Sequence, residues 1–583
     1  MQSTRVAILG VDVGGTFTDA VLLDGGHVRT AKVPTAVRQE ESVLAAARAV
    51  GAESVARFAH GTTIATNALL ERRGARTALV ANDGFEHLLH LRRQTRAHLY
   101  RLCDEHPAPL VPLERCHGVQ GRLGPEGELE ALDLSTLPDI GDAETVAVCL
   151  LFSFRDPSHE QAVVDELRRR HPGVHVVASH EVAPEFREYE RASTTAANAY
   201  LAPITARYLR ALAESAQAAG LPEPLVMLSS GGVASIDAAA EHPATILVSG
   251  PAGGVVGAGL VARRAGFEHA IAFDMGGTST DVCLLPGGRA ARVAERVVGG
   301  LPIRLPTVDL HTVGAGGGSL VTRDAGGAIR VGPESAGAHP GPACYGSGGG
   351  ATVTDANLLL GRLPAELPGG LVLDREAAAR ALGDIDPQAV IDVVNAEMLR
   401  ALRVVSVERG HDPRDFALVA FGGAGPLHAC ALADELGIDA VLVPEAAGVL
   451  SALGLVAGDE RRDSVVSYVR PLEDVGELPE DGEADLRYRG QSFELTVPLQ
   501  RDLATAFHRA HEERYGYADP AREIELVAVR TADVTPGPDI SLQVTDCYKV
   551  EGPALVELSG ATCWVPVGWS GETNDDGTLV LRR

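Results

Sequence analysis

The segment DVGGTFTDAVLL (12–23) returns as DMGGTSTDVCLL (274–285), with eight of twelve positions identical. In each copy a short apolar run leads into an aspartate, two glycines, a threonine and a second aspartate. These residue types in this order suit phosphate. Gly14–Gly15 and Gly276–Gly277 have no Cβ, so the backbone can turn tightly and let an anion come close. Successive N–H groups in such a turn form an anion-binding nest. Thr16 and Thr278 add hydroxyl donors, and Thr18 and Thr280 are further candidates. Asp12 and Asp274 are candidate Mg²⁺ holders, because Mg²⁺ takes one or two carboxylates and keeps several waters. Asp19 and Asp281 serve equally well as turn-fixing residues, through side-chain to backbone bonds. A third glycine turn, FGGAGPLH (421–428), joins a strand to a helix. Gly422, Gly423 and Gly425 within it are candidates for nucleotide contact at a helix N-terminus.

The cations narrow the chemistry. Lys32 and Lys549 are the only lysines, and every other basic side chain apart from His is Arg. Neither lysine lies in a glycine motif, which excludes a P-loop. The expectation is a lysine-free phosphate site served by backbone N–H groups, Thr hydroxyls, Mg²⁺ or Arg. A net charge of −27 without a basic patch argues against nucleic acid as a partner. No stretch reaches the ~18 apolar residues that span a bilayer. The N-terminal residues lack the pattern of a signal peptide. Eight scattered cysteines fit a reducing, cytoplasmic setting.

These loops need elements to hold them. Residues 6–11 and 18–23 read as a hairpin around Gly14–Gly15, and 270–285 repeats it. Segments 75–82 and 144–152 read as buried strands; 42–50, 159–171 and 388–409 have helical spacing. Residues 193–219 read as a long helix broken near Pro203. Alternating strands and helices imply an α/β layer architecture. The glycine-rich tracts VGAGGGSL (313–320) and SAGAHPGPACYGSGGG (335–350) read as loops that shape a site. The expected division is 1–200, an N-terminal lobe with the first hairpin; 201–462, a second lobe with the second hairpin and the 421–428 turn; and 463–583, a small β-rich domain.

The order of two phosphate hairpins and a strand–GG–helix resembles the actin/hexokinase/Hsp70 ATPase superfamily. HGTTIATNALLERRGARTALVANDGFEHLL (60–89), DLHTVGAGGGSL (309–320), VGPESAGAHPGPACYGSGGGATVTDANLLLGRL (331–363), AFGGAGPLHA (420–429) and LRYRGQSFELTVPL (486–499) resemble, in order, the A-type (alpha) subunits of the hydantoinase/oxoprolinase family. That resemblance implies a duplicated two-lobed ATPase fold with the nucleotide between the lobes. It implies ATP- and Mg²⁺-dependent opening of a cyclic amide such as a hydantoin, 5-oxoproline or a lactam, in a homo- or hetero-oligomer with a B-type subunit. By analogy with sugar kinases, Asp274 becomes a candidate general base. An ATP-dependent ketone carboxylase subunit, a small-molecule kinase and a nucleotide-controlled binding module remain alternatives.

His60, Thr62, Thr63 and Asn67 form a polar cluster before an apolar helix, read as site-lining or as a helix cap. Arg93, in LRRQTR, is a candidate anion clamp or a solvated basic residue. Asp309 and His311, with His339 and Cys344 downstream, carry the ligand types of a Zn²⁺-like transition-metal site. His339 stands where the family resemblance leads one to expect an acidic residue. The stretch between 539 and 552 reads as compressed relative to the family, which bears on docking of a B-type partner.

Overall fold

The computed structural model describes residues 7–583 except 102, 104, 368–370, 541 and 543–546. Two of its sheets share one strand order. In the first, His27–Pro34, Phe17–Asp24 and Ile8–Val13 run antiparallel, and Arg57–Thr62 then Leu225–Met227 run parallel to Ile8–Val13. In the second, Leu310–Val313, Thr280–Leu285 and Ala270–Met275 are antiparallel, followed by parallel Ala417–Phe421 and Ala440–Pro444. This is the duplicated, two-lobed α/β ATPase architecture expected from the repeat. Ile8–Val13 and Ala270–Met275 also share one burial pattern, with Asp12 and Asp274 the single half-open positions of otherwise buried strands. Both faces of these strands are covered, which explains their near-continuous apolar runs.

Two helices join the lobes. Ser249–Arg264 and Leu450–Ala457 cross so closely that a Cβ on Gly454 would lie 1.9 Å from the Gly253 carbonyl oxygen. A Cβ on Gly10 would lie 2.2 Å from the Ala452 oxygen, so the second helix rests directly on the first hairpin. A Cβ on Gly254 would meet the Phe421 ring at 2.8 Å, which places the first helix against the second sheet as well.

A five-stranded sheet from Thr77–Asn82 to His175–Ala178 is inserted in the N-terminal half. The helix behind it, Glu188–Ala218, runs unbroken through Pro203 and through the expected boundary at 200. Proline removes one backbone hydrogen bond, but every residue from Glu190 to Ala202 is buried, and that packing carries the helix across.

The region expected as one β-rich domain divides instead. Glu460–Pro471, Glu483–Tyr488, Leu495–Pro498 and Ile524–Thr535 extend the first sheet; Lys549–Glu551, Ser570–Thr573 and Thr578–Arg582 extend the second. A buried ion cluster fastens the former. Arg530 donates to both Glu185 oxygens (2.9 and 2.7 Å) and to Asp485 (2.9 Å), and Arg304 donates to Glu185 at 2.5 Å. Among the described residues no helix is long and apolar enough to cross a membrane.

Candidate nucleotide site

Each hairpin closes with the same turn. Gly14 N–H donates to Phe17 O (2.9 Å), and Gly276 N–H donates to Ser279 O (3.0 Å). Gly15, Thr16, Gly277 and Thr278 are exposed at the tips, free to meet a ligand. The 313–320 loop packs on the second tip through Gly317 N–H to Gly276 O (3.0 Å) and Gly318 N–H to Gly277 O (2.6 Å). It is therefore fastened to the second hairpin tip.

Beneath each tip sits an aspartate at the mouth of a helix. A Cβ on Gly61 would lie 2.3 Å from Asp12 Oδ1, and one on Gly250, in the first turn of Ser249–Arg264, 3.7 Å from it. A Cβ on Gly422 (φ +78°) would lie 2.3 Å from Asp274 Oδ1, just before helix Gly425–Leu436. At 61 and 422 only glycine leaves room for the carboxyl as it lies, whereas 3.7 Å at Gly250 is ordinary contact. Helix N-termini present unpaired N–H groups and favour anions. Gly423 is exposed beside Asp274, while Gly425 is buried and carries the turn.

Both aspartates are pushed towards their neutral form by their surroundings. Desolvation by burial, aided by neighbouring Asp19, pushes the Asp12 carboxyl up to about 7. Burial, then Asp281, Asp12 and Asp19, push Asp274 up to about 8. Helix Ser249–Arg264 links the two carboxyls, with Gly250 beside Asp12 and Gly254 against Phe421, the residue before Gly422 at Asp274. Asp12 Oδ1 is buried without a hydrogen-bond partner. A buried, unpartnered oxygen on one of the two raised carboxyls fits a divalent cation, which Asp12 and Asp274 would hold.

One lysine lies beside the first hairpin. Cross-strand register aligns Asp12, Asp19 and Lys32 in one row, and the Lys32 ammonium lies 2.5 Å from Asp19 Oδ1. The row in the second lobe is Asp274, Asp281 and Thr312, where the Thr312 hydroxyl donates to Asp281 at 2.5 Å. Thr18 and Thr280 are buried: the Thr18 hydroxyl pairs with Thr35 (3.1 Å), and Thr280 donates to Ala315 O (2.6 Å). They tether loops rather than reach the cleft.

Residues 191–464 match the family model described as Hydantoinase/oxoprolinase, and residues 8–171 match its N-terminal region. The chain belongs to the hydantoinase/oxoprolinase family. It is 32% identical to caprolactamase subunit alpha of Pseudomonas jessenii, over 98% of each chain. The crystal structure of the ATP-dependent caprolactamase from that organism superposes with a TM-score of 0.87 and 31% identity, covering 99% of both chains. The chain is 34% identical to 5-oxoprolinase 1 of Arabidopsis thaliana over 81% of its own length, but spans only 44% of that longer protein. The alignment with caprolactamase subunit alpha runs over 685 positions, more than the 583 residues of this chain, so that relative carries residues opposite gaps. Part of the stretch read as compressed, 541 and 543–546, lies outside the described residues.

Several other family-signature residues do structural work. His60 is fully buried: its Nδ1 donates to Val11 O (3.1 Å), so its Nε2 accepts from the Tyr208 hydroxyl (2.8 Å). Burial lowers its pKa to about 4, keeping it neutral and locked beneath the first hairpin. Thr62 is buried next to it, and its carbonyl accepts from Ser249 Oγ at 2.8 Å. Thr63 and Asn67 stay half-exposed on the first turn of Ile64–Leu70, joined at 3.2 Å. Arg93 is held by Glu190 through two bonds of 2.8 and 2.5 Å, with its side chain still exposed.

Asp309 is likewise committed, to Arg409, whose Nη2 donates to it at 3.1 Å. Burial and the cations Arg409 and Arg296 lower the His311 pKa. Among the described residues no three His, Cys, Asp or Glu side chains gather as a metal centre, so Asp309 and His311 do not form the expected transition-metal site. Burial raises the Cys344 thiol well above its ordinary range, and the side chain is fully enclosed, consistent with packing rather than chemistry. Sequence reasoning missed Ser249 and Gly250. The SGPAGG run (249–254), as rich in glycine and proline as the 421–428 turn, was the available signal.

Proposed function

We propose that this chain uses ATP to activate a cyclic amide for ring opening. The observation that carries this reading is the end-to-end likeness to an ATP-dependent caprolactamase, joined to the two hairpins Asp12-Val13-Gly14-Gly15 and Asp274-Met275-Gly276-Gly277. An unstrained amide resists water because its carbonyl is resonance-stabilised. Transfer of the γ-phosphoryl group forms a bond from phosphorus to the amide oxygen and breaks the bond to the departing ADP. The amide carbon then accepts water, and the ring C–N bond breaks with the nitrogen leaving as an amine. A second water releases the phosphate and leaves a carboxylate.

Phosphoryl transfer asks the protein mainly for positioning and charge neutralisation. Gly14, Gly15 and Thr16 on one side, and Gly276, Gly277 and Thr278 on the other, would donate N–H and O–H groups to the phosphates. Gly422 and Gly423 would border the nucleotide. Mg²⁺, when bound, neutralises phosphate charge. Asp12 and Asp274 would orient it, and Asp274 is the candidate base. Caprolactamase subunit alpha is by name one part of a larger enzyme. We assign this chain the phosphorylating half and a B-type partner the hydrolytic half.

The test is ADP release with Mg-ATP and caprolactam, 5-oxoproline, hydantoin or acetophenone plus bicarbonate, with and without a B-type subunit. Ring-opened product with ADP in step is the expected outcome. Turnover only with ketone and bicarbonate would move the chain to the carboxylases, and a stable phosphorylated product would make it a kinase.

A further inference from the structure

The two lobes are built alike, but the first ends its carboxylate row with a cation and the second does not. We propose that Lys32 is a phosphate-binding residue of the nucleotide site, supplying from the first lobe the positive charge that the glycine hairpins lack. This rests on the nucleotide reading of the cleft.

Three observations carry it. The first is the choice of residue. The chain meets nearly every need for positive charge with Arg; the other lysine, Lys549, is an exposed partner of Glu572. An ion pair with one carboxylate is a task that Arg performs throughout this protein. Lysine differs in being a compact point charge with three rotatable donors.

The second is geometry. Asp19 occupies one donor at 2.5 Å, and the side chain keeps about a third of its surface exposed (32%), so donors remain for an oxyanion. The Phe17 ring, 5.4 Å from the ammonium, and the Ser559–Gly560 turn hold the stem in place; a Cβ on Gly560 would sit 3.5 Å from Lys32 Cε.

The third is reach. Lys32 shares a sheet face with Asp12, two strands away in the row Asp12, Asp19, Lys32. In the second lobe Asp281 accepts from the Thr312 hydroxyl, and Arg296 donates to that hydroxyl (3.1 Å) rather than to the carboxylate. Asp19 thus has in Lys32 a partner that can serve a second anion.

The lysine count makes a direct test practical. Selective ¹⁵Nζ-lysine labelling keeps all three ammonium donors and yields one side-chain signal per lysine, with Lys32→Arg assigning them. Addition of Mg-ADP is expected to shift the Lys32 signal and leave Lys549 unmoved. Calorimetry on the unmodified protein is expected to show Lys32→Met weakening Mg-ADP about ten- to a hundredfold, the span of a charge-assisted hydrogen bond. The double variant Lys32→Met/Asp19→Asn separates the roles. A lysine that only neutralises Asp19 would be rescued by it, and a phosphate-binding lysine would not. A silent Lys32 signal with nucleotide bound, or full rescue in the double variant, overturns the proposal alone. Failure of the unaltered protein to bind Mg-nucleotide overturns the nucleotide reading and this proposal with it.

Discussion

Binding of Mg-nucleotide should expel protons, and the number follows from the two hairpin carboxyls. With Asp12 raised to about 7 and Asp274 to about 8, the pair holds about 1.4 protons at pH 7, half on the first and nine-tenths on the second. A divalent cation requires both ionised, so about 1.4 protons leave at pH 7, nearly two at pH 5.5 and about 0.1 at pH 9. Affinity for Mg-ADP should then fall steeply below pH 7, by about 25- to 100-fold per pH unit, and level off above pH 8. The assay is calorimetric titration of Mg-ADP in buffers of different ionisation heat, whose slope counts protons. Asp12→Asn and Asp274→Asn should each lower the count at pH 7, which also separates the protein's protons from those of the nucleotide. A count near zero at pH 7, or one that does not change between pH 6 and 9, would refute the argument that burial and mutual repulsion keep these groups protonated until the cation arrives.

The same shifts set stability. Both folded-state values lie above the ordinary carboxylate value, so the native protein binds more protons than the unfolded chain between about pH 4 and 8. Cation-free protein should therefore lose stability as pH rises through that window, and Asp12→Asn should reduce the loss, read by thermal melts across pH. Gly61→Ala puts a methyl group 2.3 Å from Asp12 Oδ1; the carboxyl must move, and Mg-ATP turnover should drop at least about a hundredfold while the circular dichroism spectrum is retained. His60→Ala should cost about 2–5 kcal/mol of stability through the cavity and the orphaned Tyr208 hydroxyl, yet leave KM for the amide unchanged. Glu185→Gln removes one charge from the buried cluster with Arg304 and Arg530 and should destabilise by about 3–5 kcal/mol, measured by denaturant unfolding.

The chemistry of the turns was readable from the chain because it is local. Gly-Gly between an aspartate and a threonine needs only its own backbone to form a nest, and two copies of it announced two matching lobes. Apolar runs on both sides announced buried parallel strands. Long-range partners were not readable. Lys32 looked irrelevant thirteen residues beyond Asp19, and only antiparallel register puts the two side by side. His60, Thr62 and Arg93 carried the polar signature of a site; burial under Tyr208, contact with Ser249 and pairing with Glu190 gave them structural duties that residue type cannot reveal. The same holds for residues 463–583, whose alternating pattern predicts strands but not which open sheet edge each one joins. Pattern and turn chemistry act over a few residues and are written in the sequence itself. Pairing, burial and charge depend on what distant segments bring alongside, and for this protein those were decided by the packing of two lobes around Ser249–Arg264 and Leu450–Ala457.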